Sequence, residues 1–303
     1  MEEAPHPRVA ELLAAGDPTV RRLVSAHDDH EATVDEALAA LRALGVEPQV
    51  VHGSRAEFDP RAVFVITIGG DGTLLAASHK LGAGAFLLGV NSSPNNSVGF
   101  FCAAQKGSVR ATLERALGEI ESAQDSDARG ALAPDNDFGR VVLARMRVEV
   151  NGSVVHNRVL NEALFCHASP AATSRYILQV GALHGDVEDE EEQKSSGLWI
   201  GPPAGSTAAQ RSAGGVILPL EGRAIQYVVR EPYTPLGKSL RMPKGVLRAD
   251  QALMLRNKMG DARLFLDGHF NVVEVTIGDA VRMTLSDEPL TVLGLRGRAR
   301  TRQ

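Results

Sequence analysis

The pattern of apolar and polar positions changes period near the middle of the chain. In EATVDEALAALRALG (31–45), Val34, Ala37, Leu38 and Leu41 recur at helical spacing and Gly45 closes the run, which predicts an amphipathic helix. VEPQVV (46–51) predicts a short strand. AVFVITI (62–68) is continuously apolar and rich in β-branched residues, as expected of a strand buried on both faces of a parallel sheet. TLLAASHKLG (73–82) predicts a helix closed by Gly82, and AFLLGV (85–90) a second buried strand. Strand, helix and strand at this spacing make a βαβ unit. The polar segment 118–139 reads as the connection out of this first domain.

Period two follows. In VVLARMRVEV (141–150), Val142, Ala144, Met146, Val148 and Val150 share one face, and the charges and Leu143 take the other. Asn151-Gly152 is a hairpin turn, with SVVHNRVLNEALF (153–165) as the returning partner. Further strands are predicted at 175–182, 223–230, 262–267, 271–277, 279–284 and 289–294. No internal repeat interrupts them. The fold class is α/β plus all-β: an N-terminal α/β, Rossmann-like nucleotide domain over 1–130, then a sandwich-like antiparallel domain over 131–284. Residues 285–303 are expected to return to the first domain as a strand and tail.

With 303 residues, 44% of them hydrophobic, the chain can build two cores. A formal charge of −5 and the lack of a Lys/Arg block argue against nucleic acid as a partner; RGRARTRQ (296–303) reads as a solvated tail. Cys102 and Cys166 form no CxxC pair and read as buried free thiols of a reducing compartment. No 18-residue apolar run predicts a membrane span. MEEAPHPRVAELL (1–13) fits neither a signal nor a transit peptide, so the expected location is cytoplasmic. The same stretch contains no opening strand, which leaves either a truncated start or a sheet with one strand fewer. The acidic run in 185–197 reads as a solvated loop rather than a metal site, and HDDHE (27–31) as surface polarity.

The chemistry concentrates at Gly69-Gly70-Asp71-Gly72-Thr73, between the first strand and its helix. A glycine-rich turn into a helix presents backbone N–H groups and partial positive charge to phosphates. The run is neither a Walker A loop nor GxGxxG. A carboxylate among phosphates is unfavourable unless it has a task. Local reasoning leaves three: a cap of the turn, a Mg²⁺ ligand, or a base that accepts a proton from an attacking hydroxyl.

GGDGT resembles the motif of a kinase superfamily that includes NAD kinases and the diacylglycerol and sphingosine kinases. Three later segments are similar to the NAD kinase branch: LLGVNSSPNNSVGFFCA (87–103), LNEALF (160–165) and SSGLWIGPPAGSTAAQRSAGG (195–215), with LFLDGHF (264–270) matching a late Asp-Gly. The order and spacing agree from about residue 35 to 295. EEQKSSGL and SSPNNSVGFFCA look most like the mitochondrial-type NAD kinases and their bacterial relatives.

The resemblance implies transfer of the ATP γ-phosphoryl group to the adenosine ribose 2′-hydroxyl of NAD, giving NADP. It makes Asp71 the general base. Gly69, Gly70, Gly72 and Thr73 become phosphate-binding residues. Asp71, Gly72, Phe100, Asn161, Glu162, Ser196, Thr207, Ala208 and Ser212 become NAD-binding residues. It implies ATP or polyphosphate as donor, Mg²⁺ or another divalent cation with no ligand identified, and a homodimer or higher homo-oligomer. The chain departs from the family pattern at Ser196 for Asp, Ala209 for Tyr and Pro202-Pro203-Ala204 for Thr-Pro-Thr. The Ser196 change is shared with the mitochondrial-type branch; the Ala209 change removes an aromatic contact. A lipid kinase and a non-enzymatic NAD(P)-binding regulator are the alternatives.

Overall fold

The computed structural model describes residues 7–53, 57–59, 61–129, 138–237 and 239–295. The N-terminal residues 1–6, the basic tail 296–303, and 130–137 of the expected connection lie outside them. The chain divides into two compact units, one made of the described residues of 1–74, 86–140 and 292–297, the other of 75–85 and 141–291.

The first unit opens with helices α1 (Pro7–Ala14) and α2 (Arg21–Ala43), followed by β1 (Phe64–Gly69), α3 (Asp71–Ser78), β2 (Phe86–Asn91), β3 (Cys102–Gln105) and α4 (Val109–Arg129). β2 runs parallel to both β1 and β3. The sheet order is β1-β2-β17-β4, with β3 also on β2, where β4 is Arg140–Leu143 and β17 is Leu290–Leu293. Ala37, Ala40 and Leu41 of α2 share a core with Leu113, Ala116 and Ile120 of α4 and with Leu88 and Val90 of β2.

The second unit contains β5 (Met146–Val150), β6 (Ser153–Val159), β7 (Ala163–His167), β8 (Ser174–Ala182), β9 (Val187–Ser195) and β10 (Gly197–Gly201). A 3₁₀ turn (Pro203–Thr207) leads to α5 (Ala209–Ser212). Then come β11 (Ala224–Arg230), β12 (Lys244–Arg248), β13 (Gln251–Asn257), β14 (Ala262–Leu266), β15 (Asn271–Val275) and β16 (Ala280–Leu285). They form two six-stranded sheets, β12-β11-β10-β7-β14-β15 and β6-β5-β16-β13-β8-β9. Inward residues of both sheets, among them Phe165, Leu198 and Leu264 from one and Tyr176, Leu253 and Met283 from the other, share one core. Phe165 and Tyr176 meet edge to face, with ring centroids 5.4 Å apart.

Several expectations from the pattern need correction. Residues 46–51 form no strand and are mostly exposed. β1 is the sheet's edge, so it is half-buried with only Thr67 buried; no strand precedes it among the described residues. The helix expected to close at Gly82 ends at Ser78. The polar segment read as a connection is helical as far as Arg129, because Leu113, Ala116, Ile120 and Ala123 recur every three or four residues and bury one stripe.

The run 141–150 is two strands in different sheets, and the change of sheet breaks the shared face: Val142 is 47% exposed, while Leu143 and Arg145 are fully buried. For the same reason 153–165 is not one hairpin partner; β6 pairs with β5, but β7 pairs with β10 and β14. The acidic run is not a loop but edge strand β9, which turns Gln193 and Ser195 inward, half-buries Glu191 under the Arg241 and Met242 amides, and leaves its other carboxylates exposed. Exposed charge on an edge strand discourages further strand pairing. Cys102 is buried, but Cys166 is only half-buried. Among the described residues no helix is long and apolar enough to cross a membrane.

Candidate active site

In the first unit, β1 and β2 stay in register to Gly69 opposite Asn91, so the loops leaving the two parallel strands start side by side. Ligands of open α/β sheets collect at such carboxyl ends. The Ser92 amide donates to the Gly69 carbonyl at 3.2 Å. A Cβ on Gly70 would overlap Ser97 Oγ, so a side chain there requires Ser97 to turn away. Gly72 is exposed and Thr73 half-buried at the start of α3. His30, inside the HDDHE run on α2, places Nδ1 3.2 Å from Ser92 Oγ.

Asp71 opens α3 but its carboxylate reaches away from the turn. Oδ2 accepts the Phe100 amide at 2.9 Å and Oδ1 the Phe101 amide at 2.8 Å. It thus ties the GGDGT loop to the segment before β3. Each oxygen keeps a lone pair for a further partner. Phe100 is half-buried and edge-on to Phe101, with centroids 4.9 Å apart.

In the second unit, the link between β6 and β7 carries Asn161 and Glu162. The amides of Leu160, Asn161 and Glu162 all donate to the Asp267 carboxylate, at 2.7, 2.7 and 2.9 Å. The Asp267 side chain is fully buried and its backbone is left-handed, φ 50°, at the end of β14. Burial pushes its pKa up to about 6 against the pull of the three amides. Burial also pushes Glu162 up to about 7, helped by the Asp267 charge and opposed by a hydrogen bond with Asn161. Glu162 Oε2 is buried without a hydrogen-bond partner.

The 3₁₀ turn packs directly on this link: a Cβ on Gly205 would fall onto the Asn161 carbonyl. Its Ser206 hydroxyl donates to the Pro203 carbonyl at 2.7 Å and accepts the Leu218 amide at 3.0 Å. Thr207 and Ala208 are half-buried at the end of the turn, while Ser212 is exposed with its hydroxyl on the Ala208 carbonyl at 3.4 Å. The second unit therefore brings Asn161, Glu162, Gly205, Thr207 and Ala208 into one neighbourhood. Ser196 stands apart from it. It lies at the opposite end of β10 from Gly201, about 16 Å along the strand at ~3.3 Å per residue, with its amide donating to the Arg230 carbonyl at 3.0 Å.

A protein of rice (Oryza sativa subsp. japonica) named probable NADH kinase is 31% identical to this chain over 241 residues, which are 75% of this chain and 69% of that protein. The Arabidopsis thaliana NADH kinase is 33% identical over 236 residues, 75% of this chain and 70% of that protein. The chain belongs to the NAD and NADH kinase family. The NAD kinase of Methanospirillum hungatei is 27% identical over 287 residues, 92% of this chain and 90% of that one. The crystal structure of yeast NADH kinase complexed with NADH has the same fold, with a TM-score of 0.59 at 16% identity. That match covers 80% of this chain and 64% of the yeast chain. No protein-family model matches the chain.

For a NAD kinase family member, the residues that pattern reading overlooked are those behind the Asn161–Glu162 link. Asp267 was legible only as part of a late Asp-Gly motif, and nothing in the sequence gave it a role. His79, at the end of TLLAASH, and His156, in β6, belong to no motif in the sequence, yet their rings meet at a 4.6 Å centroid distance. Arg145 read as an outward charge, yet it is fully buried and donates to the carbonyls of Ser78 and Leu81 at 2.9 Å and of Glu288 at 2.5 Å. Burial lowers its pKa to about 10. In α5, Gln210 is fully buried; its Oε1 accepts from Gln226 at 2.9 Å and its Nε2 has no partner.

Proposed function

We propose that this chain transfers the γ-phosphoryl group of ATP to the 2′-hydroxyl of the adenosine ribose of NAD or NADH, giving NADP or NADPH. The observation that carries this reading is 31–33% identity to two NADH kinases across three quarters of the chain, in a chain that retains Asp71. Both of those relatives are named for NADH, so NADH is the acceptor expected to be used best.

Asp71 is the proposed base. An alcohol is too weak an acid to ionise beforehand, so the carboxylate accepts the proton as the bond to phosphorus forms. The two amide bonds already on Asp71 fix its orientation and leave lone pairs for that proton. Gly69, Gly70, Gly72 and Thr73 offer backbone to the phosphates. Asn161 and Glu162 hold the ribose hydroxyls, with Thr207, Ala208, Ser212 and Phe100 as further NAD contacts. Ser196 is proposed for the same ligand, although its position at the far end of β10 makes it the weakest of these assignments.

Among the described residues no group of three or more His, Cys, Asp and Glu could form a metal site. Mg²⁺ keeps its waters and binds through one or two carboxylates plus substrate phosphates, so a cation that arrives on the nucleotide needs few protein ligands. Bound there, the cation would neutralise charge on the transferred phosphoryl group. A cytoplasmic location and a homodimer belong to the same proposal.

The test is NADP(H) formation by purified protein from NAD or NADH, with ATP or polyphosphate as donor and Mg²⁺ present. NADPH formed from NADH and ATP supports the reading. Binding of NAD(H) without product supports a regulator. Phosphorylation of diacylglycerol instead supports a lipid kinase.

A further inference from the structure

Behind the Asn161–Glu162 link runs a chain of four polar groups within the second unit. The Arg158 amide donates to His156 Nδ1 at 3.0 Å. His156 Nε2 meets His79 Nδ1 at 2.9 Å. His79 Nε2 lies 3.4 Å from Asp267 Oδ2, longer than a full hydrogen bond but a close electrostatic contact. Asp267 holds the amides of Leu160, Asn161 and Glu162.

The hydrogen positions follow from these partners. His156 Nδ1 faces an N–H and must be the bare nitrogen, so in the neutral ring Nε2 carries the hydrogen. That hydrogen points at His79 Nδ1, which must then be bare as well. His79 therefore carries its hydrogen on Nε2, directed at the Asp267 carboxylate. A second proton on either ring would set N–H against N–H. The surroundings agree: Arg145 and Arg158 disfavour added positive charge, Glu288 is engaged by Arg158 at 2.6 Å, and the carboxylates of Asp267 and Glu162 are the acids on the far side.

We propose that His79 and His156 are positioning residues: a neutral, proton-ordered imidazole pair that steers the Asp267 carboxylate and, through it, the Asn161–Glu162 link that receives the dinucleotide. The last clause rests on the kinase reading; the proton order does not.

Histidine ¹⁵N spectra of the full-length wild type test the pair directly. Both rings are expected as Nε2–H tautomers that stay neutral from about pH 5 to 8, where an unhindered histidine titrates. An Nδ1–H tautomer at either ring, or titration near pH 6.5, overturns the proposal. His79→Leu is expected to speed hydrogen exchange at the amides of 160–162. It should also raise KM for NAD(H) about tenfold with KM for ATP unchanged, the size expected when a contact to a charged group is lost. His79→Gln, whose side-chain amide nitrogen reaches the place of the imidazole Nε2 and can still donate to Asp267, should recover part of both effects. Unchanged exchange and unchanged KM in a folded His79→Leu protein overturn the positioning role. A wild type inactive on both NAD and NADH overturns the kinase reading alone, and the spectra and exchange still decide the pair. If His79→Leu fails to fold, the wild-type spectra decide.

Discussion

Asp71 accepts the backbone amide of Phe101 at 2.8 Å, a bond that joins the GGDGT loop to a residue thirty positions later. The proposed base is therefore also a structural tie. Asp71→Asn must turn either its oxygen or its NH₂ toward each of two amide N–H groups, so one bond is lost. Expected are a fall in kcat of at least ~100-fold for loss of a general base and a stability loss of about 1–3 kcal/mol for the mismatched amide. Steady-state kinetics and urea unfolding separate the two. Turnover near wild type would remove Asp71 from the base role.

Gly205 and Gly118 predict opposite signs for one chemical change. A methyl at Gly205 collides with the Asn161 carbonyl, whereas one at Gly118, in α4, meets nothing within 4 Å. Gly205→Ala should cost about 1–3 kcal/mol by overpacking and weaken NAD(H) binding. Gly118→Ala should stabilise by about 0.4–1 kcal/mol through the unfolded chain. Denaturation curves with and without NADH check both.

Arg145 should be among the costliest side chains to remove. Its guanidinium is fully buried and holds the carbonyls of Ser78, Leu81 and Glu288, with Pro289 at 3.3 Å. Arg145→Met should lose about 3 kcal/mol or more by leaving several buried carbonyls unpaired. Arg145→Lys should restore little, since an ammonium cannot span the same acceptors. Equilibrium unfolding measures both.

Glu162 gives a pH dependence with a definite sign. Its pKa rises from the ordinary 4.5 to about 7 on folding, so between those values the native state keeps a proton that the unfolded chain has lost. Stability from this group is full below pH 4.5 and falls as pH rises to 7. Glu162→Gln removes the loss: relative to wild type it should gain nothing at low pH and at most about 3 kcal/mol above pH 7. His79 slopes the other way, its pKa falling from 6.5 to about 3, so its contribution is present above pH 6.5 and lost as pH falls. The difference between wild type and Glu162→Gln cancels that background. A difference that does not grow between pH 4.5 and 7 would show that Glu162 is ionised in the fold.

Part of the first unit was legible because the features concerned are local. β1 and β2 stand where the apolar runs put them, α3 follows β1 as expected but stops at Ser78, and the GGDGT run begins on the last residue of β1; α1 and β3 had no such signal. The Asn151-Gly152 hairpin is local in the same way. The acidic strand β9 was not legible, since a strand is recognised by its buried face and β9 buries few side chains against its neighbours. The helical end of α4 was missed because its polar positions outnumber a narrow stripe whose use comes from the core it shares with α2 and β2. The roles of Asp267, His79 and Arg145 were not legible because the burial and partners of a lone polar side chain are set by segments distant in sequence.

By itself the sequence determined the composition of the loops: which turns carry glycine, where one carboxylate sits among them, and which segments alternate with period two or three to four. Those properties follow from backbone sterics and side-chain periodicity, and they act over a few residues. Tertiary structure alone decided which polar groups are buried and whom they face. It set Asp267 under three amides more than a hundred residues earlier, His79 against His156, and Gly205 on the Asn161 carbonyl. Desolvation and hydrogen bonding depend on neighbours in space, so the same Asp, His or Arg is a solvated charge or an internal tie according to what the fold packs around it.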